Sequence, residues 1–308
     1  QFIDLANTIA HDNTVLLFTT MGAVATTEQA IINEAHLRGF VVPDRIRRKS
    51  GEDTTAAGAY VAFPQKGIHQ WVGSMDINSL YPSVFRALNM APETIVGQLR
   101  PDFTDEELAN KMKLEKKSFA DAWLGKFGTN EYEMVMEKDV NTVMKLDMED
   151  GGTVDCTGAD VYNLVFNSGQ PWCISSNGTI FKTDFQGIVP GLLERWYAER
   201  QDLQKKKKQA TTPEDIAFWD KRQLVKKINL NSLYGAILNP GCRFFDKRIG
   251  QSTTLTGRRI TRHMGAKVNE LLLGRYDHTG DCLIYGDTDS VYFSATPAMP
   301  DDMSLDMD

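Results

Sequence analysis

Tyr285-Gly286-Asp287-Thr288-Asp289-Ser290 decides how this chain is read. Two short apolar runs flank it, Cys282-Leu283-Ile284 and Val291-Tyr292-Phe293. Alternating apolar residues around a Gly/Asp turn predict a β-hairpin. Such a hairpin holds Asp287 and Asp289 at its tip, two residues apart. Close carboxylates repel, which raises the pKa of one unless a cation neutralises them. A hard divalent cation prefers such oxygen ligands. Taken alone, the same residues also describe an ordinary solvated turn, because Gly and Asp are common turn formers.

A second segment is Ser74-Met75-Asp76-Ile77-Asn78-Ser79-Leu80-Tyr81-Pro82-Ser83. Val72 and Met75 suggest a strand that ends near Asp76. Pro82 suits the first turn of a helix, where no backbone N–H is needed. A tight turn at a helix start, with the N–H groups of Asn78 to Tyr81, can hold phosphate oxygens. Asp76 could equally be a helix cap at a plain strand–turn–helix corner. A third segment is Lys226-Lys227-Ile228-Asn229-Leu230-Asn231-Ser232-Leu233-Tyr234-Gly235. Lys227, Asn231 and Tyr234 recur at intervals of four and three, so one helical face carries all three. That face offers a cation, an amide and an aromatic to a nucleotide's phosphate, sugar and base. An amphipathic helix with polar decoration has the same pattern.

In order, the three segments resemble motifs A, B and C of the family B DNA polymerases. Motif A is similar to Asp76-x-x-Ser79-Leu80-Tyr81-Pro82-Ser83, motif B to Lys227-x-x-x-Asn231-Ser232-x-Tyr234-Gly235, and motif C to Tyr285–Ser290. The resemblance covers roughly residues 30–295. Pro92-Glu93-Thr94-Ile95 and the Ser176-Asn177-Gly178 turn look most like the polymerases of T-even-type bacteriophages.

The resemblance implies an α+β fold: a polymerase palm, meaning an antiparallel sheet with packed helices, plus an αα-hairpin fingers domain. It divides the chain into an N-terminal remnant and connection (1–57), palm (58–186, with an insertion at about 100–170), fingers (187–238) and palm with motif C (239–308). It implies template-directed DNA synthesis by two-metal phosphoryl transfer. Asp76, Asp287 and Asp289 would be catalytic and would hold two Mg²⁺ ions, with Mn²⁺ as a substitute. Ser79, Leu80, Tyr81, Arg200, Lys227 and Asn231 would bind the incoming nucleotide, with Tyr81 as the gate against a 2′-OH. Tyr234 and Gly235 would line the nascent base pair. Partners implied are primer–template DNA, deoxynucleoside triphosphates, a sliding clamp, and segments or a second chain carrying exonuclease and thumb. The expected location is the cytoplasm of an infected bacterium.

Three departures from the family pattern stand out. The first fingers helix usually carries an Arg followed four residues later by a Lys. Here Arg200 is followed by Gln204, and Lys205 lies one place on, rotated by about 100°. The Asp-x-Glu of Asp147-Met148-Glu149 falls after motif A and reads as solvated loop rather than an exonuclease site. The tail, Ala295–Asp308, has no Lys or Arg and does not resemble a thumb. Two alternatives fit less well. A non-catalytic nucleic-acid-binding relative needs no carboxylates at 76, 287 and 289. A reverse transcriptase usually has adjacent aspartates in motif C, whereas Thr288 separates them here.

Composition is compatible with this reading. A hydrophobic content of 42% and a charged content of 24% over 308 residues are those of a globular chain. No apolar run is long enough to span a membrane, and the start Gln1-Phe2-Ile3-Asp4 has no signal-peptide pattern. Four cysteines form no C-x-x-C pair and read as reduced thiols. The five histidines lack zinc-type spacing, which leaves carboxylates as metal ligands. The net charge of −7 is unevenly spread. Acidic residues gather at 102–107, 147–150 and 301–308; basic ones gather at 205–208, 221–222, 226–227 and 258–262, and local charge governs contact with phosphate.

Local patterns predict the remaining elements. A helix is expected at about Glu28–Arg38, and paired strands at Gly58–Pro64 and His69–Asp76. A helix should run from motif A to about Leu88, and another over Thr104–Lys117. Val189-Pro190 opens a helix to about Lys208. Thr212-Pro213-Glu214 opens its partner, which runs to about Ile237. A last helix is expected at about Thr256–Leu273.

Overall fold

The computed structural model describes residues 2–45, 58–101 and 129–298. In chain order its main elements are α1 (Phe2–Asn13), α2 (Ala23–Leu37), β1 (Val72–Asp76), α3 (Leu80–Ala87), β2 (Ile95–Pro101), α4 (Asn130–Glu137), β3 (Val143–Met148), β4 (Thr153–Thr157), α5 (Gly158–Tyr162), β5 (Trp172–Ile174), β6 (Thr179–Lys182), α6 (Ile188–Gln209), α7 (Pro213–Ile237), α8 (Lys247–Leu273), β7 (Leu283–Asp287) and β8 (Ser290–Ser294). The fold is α+β, with every strand pair antiparallel. Two compact units form, Gln1–Ala56 with Tyr81–Thr253, and Ala57–Leu80 with Thr254–Asp308.

The first unit contains a five-stranded sheet of order β4-β3-β2-β6-β5. Its core packs Leu99, Met144, Leu146 and Ile180 against Val135 of α4 and Val161 of α5. The tight turn before β6 depends on Gly178, whose φ of +79° suits glycine. A Cβ there would lie 2.9 Å from the Leu99 Cβ. Asn177 beside it is buried, and its side-chain oxygen accepts from Ser175 (2.6 Å) and Ser252 (2.8 Å). A buried polar cluster satisfied in this way fixes one arrangement of the turn.

The helical hairpin of α6 and α7 belongs to the same unit. Its ends follow local signals. The Glu93 carboxylate accepts from the Ile188 N–H at 2.6 Å, where a negative charge suits a helix N-terminus. Asn89 fastens the approach to it, donating to the carbonyls of Lys182 and Phe185 (2.7 Å each) and accepting from the Gly187 N–H (2.8 Å). Thr212 caps α7 by accepting from the Asp215 N–H at 3.1 Å, and Pro213 opens the first turn. The N-terminal helices brace this hairpin. Lys226 of α7 bridges Asp12 (3.0 Å) and Glu199 (2.7 Å), and Arg195 of α6 pairs with the buried Glu34 of α2. Residues 2–37 therefore form part of the hairpin's support.

Several expectations are corrected. Gly58–Pro64 does not pair with His69–Asp76. Residues 62–65 run along β7 instead, with Ala62 N–H to Gly286 C=O and Gln65 N–H to Ile284 C=O, both 2.8 Å. β1 pairs with β8. The last helix starts at Lys247, nine residues before the predicted Thr256, where Asp246 accepts from the Arg248 N–H at 2.8 Å. The described part of residues 100–170 supplies two strands and much of a core, so it is structural. Within it, Asp147-Met148-Glu149 is a solvated turn only at Glu149, which pairs with Arg248 at 2.6 Å; Asp147 and Met148 lie on β3, where Asp147 pairs with Arg100 at 2.6 Å. The predicted helix at Thr104–Lys117 and the acidic clusters at 102–107 and 301–308 lie outside the described residues.

Candidate active site

The second unit's sheet has the order β1-β8-β7. Asp76 ends β1 and stands opposite Ser290, the first residue of β8. Asp287 ends β7 and also pairs with Ser290. Asp289 lies between them in the two-residue connection. The Ile77 N–H donates to the Asp289 carbonyl at 2.8 Å, which ties the two aspartate-bearing segments together. Gly73 lets β1 lie close to β8, since a Cβ there would meet the Phe293 ring at 2.5 Å.

The connection is a tight turn centred on Thr288. The Asp289 N–H returns to the Asp287 carbonyl at 2.6 Å, and Thr288 has φ +53°. A β-branched residue with positive φ is a genuine outlier, and a three-residue turn of this hand is rare and strained. The sequence placed both aspartates at the tip but did not reveal this strain.

The carboxylates differ in surroundings. Asp76 is exposed, while Asp287 and Asp289 are half-buried. Asp287 accepts from the Thr288 hydroxyl (2.8 Å) on one oxygen and from the Tyr285 hydroxyl (3.3 Å) on the other. Burial, then the nearby negative charge of Asp287, pushes the Tyr285 phenol up and keeps it a donor. Burial pushes the Asp289 carboxyl up as well, followed by the neighbouring Asp76 carboxylate; a backbone hydrogen bond opposes the rise and Asp287 adds to it. None of the three has a Lys, Arg or His partner among the described residues. Among those residues, no three His, Cys, Asp or Glu side chains are gathered tightly enough to cage an ion. The donor set still fits a hard cation: three carboxylates, no basic partner, and crowded negative charge that a cation would relieve.

Motif A continues as expected. β1 stops at Asp76, Asn78 and Ser79 turn with Ser79 at φ +54°, and α3 starts at Leu80 with Pro82 in its first turn. N–H groups at such a start have no intrahelical partner.

The remaining candidates lie in the first unit. Tyr81 stacks on Tyr234, with ring centroids 4.4 Å apart. Lys227, Asn231 and Gly235 form an exposed line along α7, and space beside Gly235 is open. Lys227 has no ion-pair partner among the described residues, unlike Lys226. The Arg200 Nε reaches across the hairpin to Gln223 Oε1 at 3.4 Å. Of the run Lys205–Lys208, Lys206 pairs with Asp202 and Lys207 with Asp220, so part of that charge is spent within the hairpin. Sequence reading attached no role to Tyr285, although the motif contains it; two residues along a strand places its hydroxyl over Asp287 on the same face.

The fold and the ordered motifs define an α+β chain of the polymerase class. It belongs to DNA polymerase family B, whose sequence profile matches residues 14–302. It is 26% identical over 300 residues to the DNA-directed DNA polymerase of Enterobacteria phage T4, an alignment covering 94% of this chain and 32% of that protein. It is 23% identical over 303 residues to the enzyme of Escherichia phage RB69, covering 96% and 32%. Its fold resembles the family B DNA polymerase of the archaeon Pyrobaculum calidifontis, with TM-score 0.55, 18% identity, and coverage of 94% of this chain and 29% of that one. The chain therefore spans about a third of the length of these relatives.

Proposed function

We propose that this chain carries the nucleotide-adding centre of a DNA-directed DNA polymerase. The observation that supports this most is the placing of Asp76 at the end of β1, Asp287 at the end of β7 and Asp289 in the turn between β7 and β8, all at one end of the sheet and without a basic partner among the described residues. A binding or scaffolding role gives no reason to leave such a cluster unneutralised where nucleic-acid phosphate would approach.

Asp76, Asp287 and Asp289 are the residues that would hold divalent metal, Mg²⁺ or Mn²⁺. Bound there, the metal supplies charge neutralisation on the triphosphate and an easier deprotonation of the primer 3′-hydroxyl. The protein's own contribution is positioning. Tyr285 and Thr288 orient the Asp287 carboxylate through their hydroxyls. The N–H groups of Ser79 and Leu80 suit the outer phosphates, because a helix start attracts anions. Lys227 and Arg200 add positive charge toward the triphosphate, and Asn231 reads its sugar or base. Tyr81, held by its stack on Tyr234, would exclude a ribose 2′-OH. Tyr234 and Gly235 offer an aromatic face and an open backbone to the nascent base pair.

The test is single-nucleotide addition to a primer–template with Mg²⁺, comparing wild type with Asp289→Asn and Asp76→Asn. Each substitution is expected to lower the rate by at least about a hundredfold, about 2.7 kcal/mol of transition-state stabilisation. Losses under about tenfold would refute the assignment.

A further inference from the structure

We infer that Thr261 of α8 is a positioning residue for the Asp287–Asp289 turn, acting together with the backbone carbonyl of Tyr60. The backbone of Thr288 is gripped on both sides of its Cα. Its N–H donates to the Tyr60 carbonyl at 2.8 Å, and its carbonyl accepts from the Thr261 hydroxyl at 2.6 Å. Thr261 is fully buried. Its one hydroxyl proton has two acceptors in reach, the Gly257 carbonyl one turn back on its own helix at 3.1 Å and the Thr288 carbonyl at 2.6 Å. Helical threonines ordinarily bond back along their own helix; here the shorter bond leaves the helix for the turn.

The brace fixes Thr288 from outside the turn, beside the bonds the turn makes within itself and to the residue after β1: Asp289 N–H to the Asp287 carbonyl at 2.6 Å and Ile77 N–H to the Asp289 carbonyl at 2.8 Å. Thr288 sits at φ +53°, a conformation that costs a β-branched residue about 1–2 kcal/mol and persists only where its surroundings enforce it. Side-chain packing beside β7 is incomplete. A cavity of about 640 Å³ adjoins the hairpin, and its lining includes Tyr60, Thr261, Tyr285 and Gly286. The two hydrogen bonds set the two peptide planes that flank Thr288, and the second plane sets where the Asp289 side chain leaves the chain. The role at the active site rests on the reading of Asp287 and Asp289 as metal-holding residues; the brace itself does not.

Two readouts on the whole chain separate these points. The first is amide hydrogen exchange at Thr288 and Asp289 in metal-free protein. Thr261→Val keeps the shape but strands the Thr288 carbonyl, and should speed exchange there by about tenfold, while the strand amides of β8 keep their wild-type rates. Thr261→Ser keeps the hydroxyl and should exchange like wild type. Thr288→Gly accepts positive φ freely, so adding Thr261→Val to it should have a smaller effect than in wild type. The second readout is Mn²⁺ affinity by electron paramagnetic resonance, expected to fall by about tenfold in Thr261→Val and to be kept in Thr261→Ser. Unchanged exchange in Thr261→Val overturns the brace. Faster exchange with unchanged Mn²⁺ affinity overturns the positioning role. A wild-type protein that binds no Mn²⁺, with exchange responding as expected, supports the brace and refutes the metal reading instead.

Discussion

Glu131 allows one prediction to be worked through. It sits on α4 at 4% exposure, and its Oε2 is buried without a hydrogen-bond partner among the described residues. Burial pushes its carboxyl from 4.5 to about 7, against the opposing effect of a backbone hydrogen bond. A raised folded-state pKa means that the folded chain holds the proton more tightly than the unfolded chain. The carboxyl therefore carries no penalty below about pH 4.5, where both states are protonated. The penalty grows as pH rises toward 7 and is complete above it. At about 1.36 kcal/mol per pH unit, it is about 1 kcal/mol at pH 5 and about 3 kcal/mol at pH 8. Glu131→Gln keeps the shape and cannot ionise. Its stability relative to wild type should therefore improve by about 2 kcal/mol between pH 5 and pH 8. Urea unfolding of both proteins at the two pH values measures this, and subtracting wild type from variant removes every other titrating group. A difference independent of pH to within about 0.5 kcal/mol would show that Glu131 is solvated and that the argument from its burial is wrong.

Further predictions concern the turn, the hairpin and the gate. Gly178→Ala should cost about 2–4 kcal/mol, because it adds left-handed strain to a clash with Leu99, and thermal unfolding reads it directly. Lys226→Ala should lower stability by about 2 kcal/mol, since it removes the lysine paired with Asp12, whose side chain is 9% exposed. Lys227→Ala should leave the melting temperature unchanged and raise the nucleotide KM by about tenfold, about 1.4 kcal/mol; the opposite pattern would exchange the roles of the two lysines. Tyr81→Ala should raise the ratio of ribo- to deoxyribonucleotide incorporation by at least about tenfold, and an unchanged ratio would place the gate elsewhere.

What the sequence revealed was carried by local signals. The Gly286-Asp287 tip between apolar runs gave the hairpin, and Thr212-Pro213 gave the start of α7 to the residue. The 3.6-residue period put Lys227 and Asn231 on one exposed face. What stayed hidden depends on partners distant in sequence. Gly58–Pro64 has the alternation of a strand, but its partner is β7, more than two hundred residues on, and not the neighbouring β1. Asp147 and Glu149 looked like a solvated acidic turn because Arg100 and Arg248, which neutralise them, lie 47 and 99 residues away. Residues 2–37 carry no motif, and their contribution is visible only in ion pairs to α6 and α7. The positive φ of Thr288 breaks a local preference, and a sequence pattern cannot signal a conformation that tertiary bonds enforce.

The central claim is that Asp76, Asp287 and Asp289 form a divalent-metal site for nucleotide addition. Mn²⁺ binding by wild type and Asp289→Asn, followed by electron paramagnetic resonance at neutral pH, tests it without depending on turnover. Wild type should bind Mn²⁺, and the substitution, which removes both a ligand and a negative charge, should weaken binding by at least about tenfold. Equal affinity in the two proteins would contradict the account.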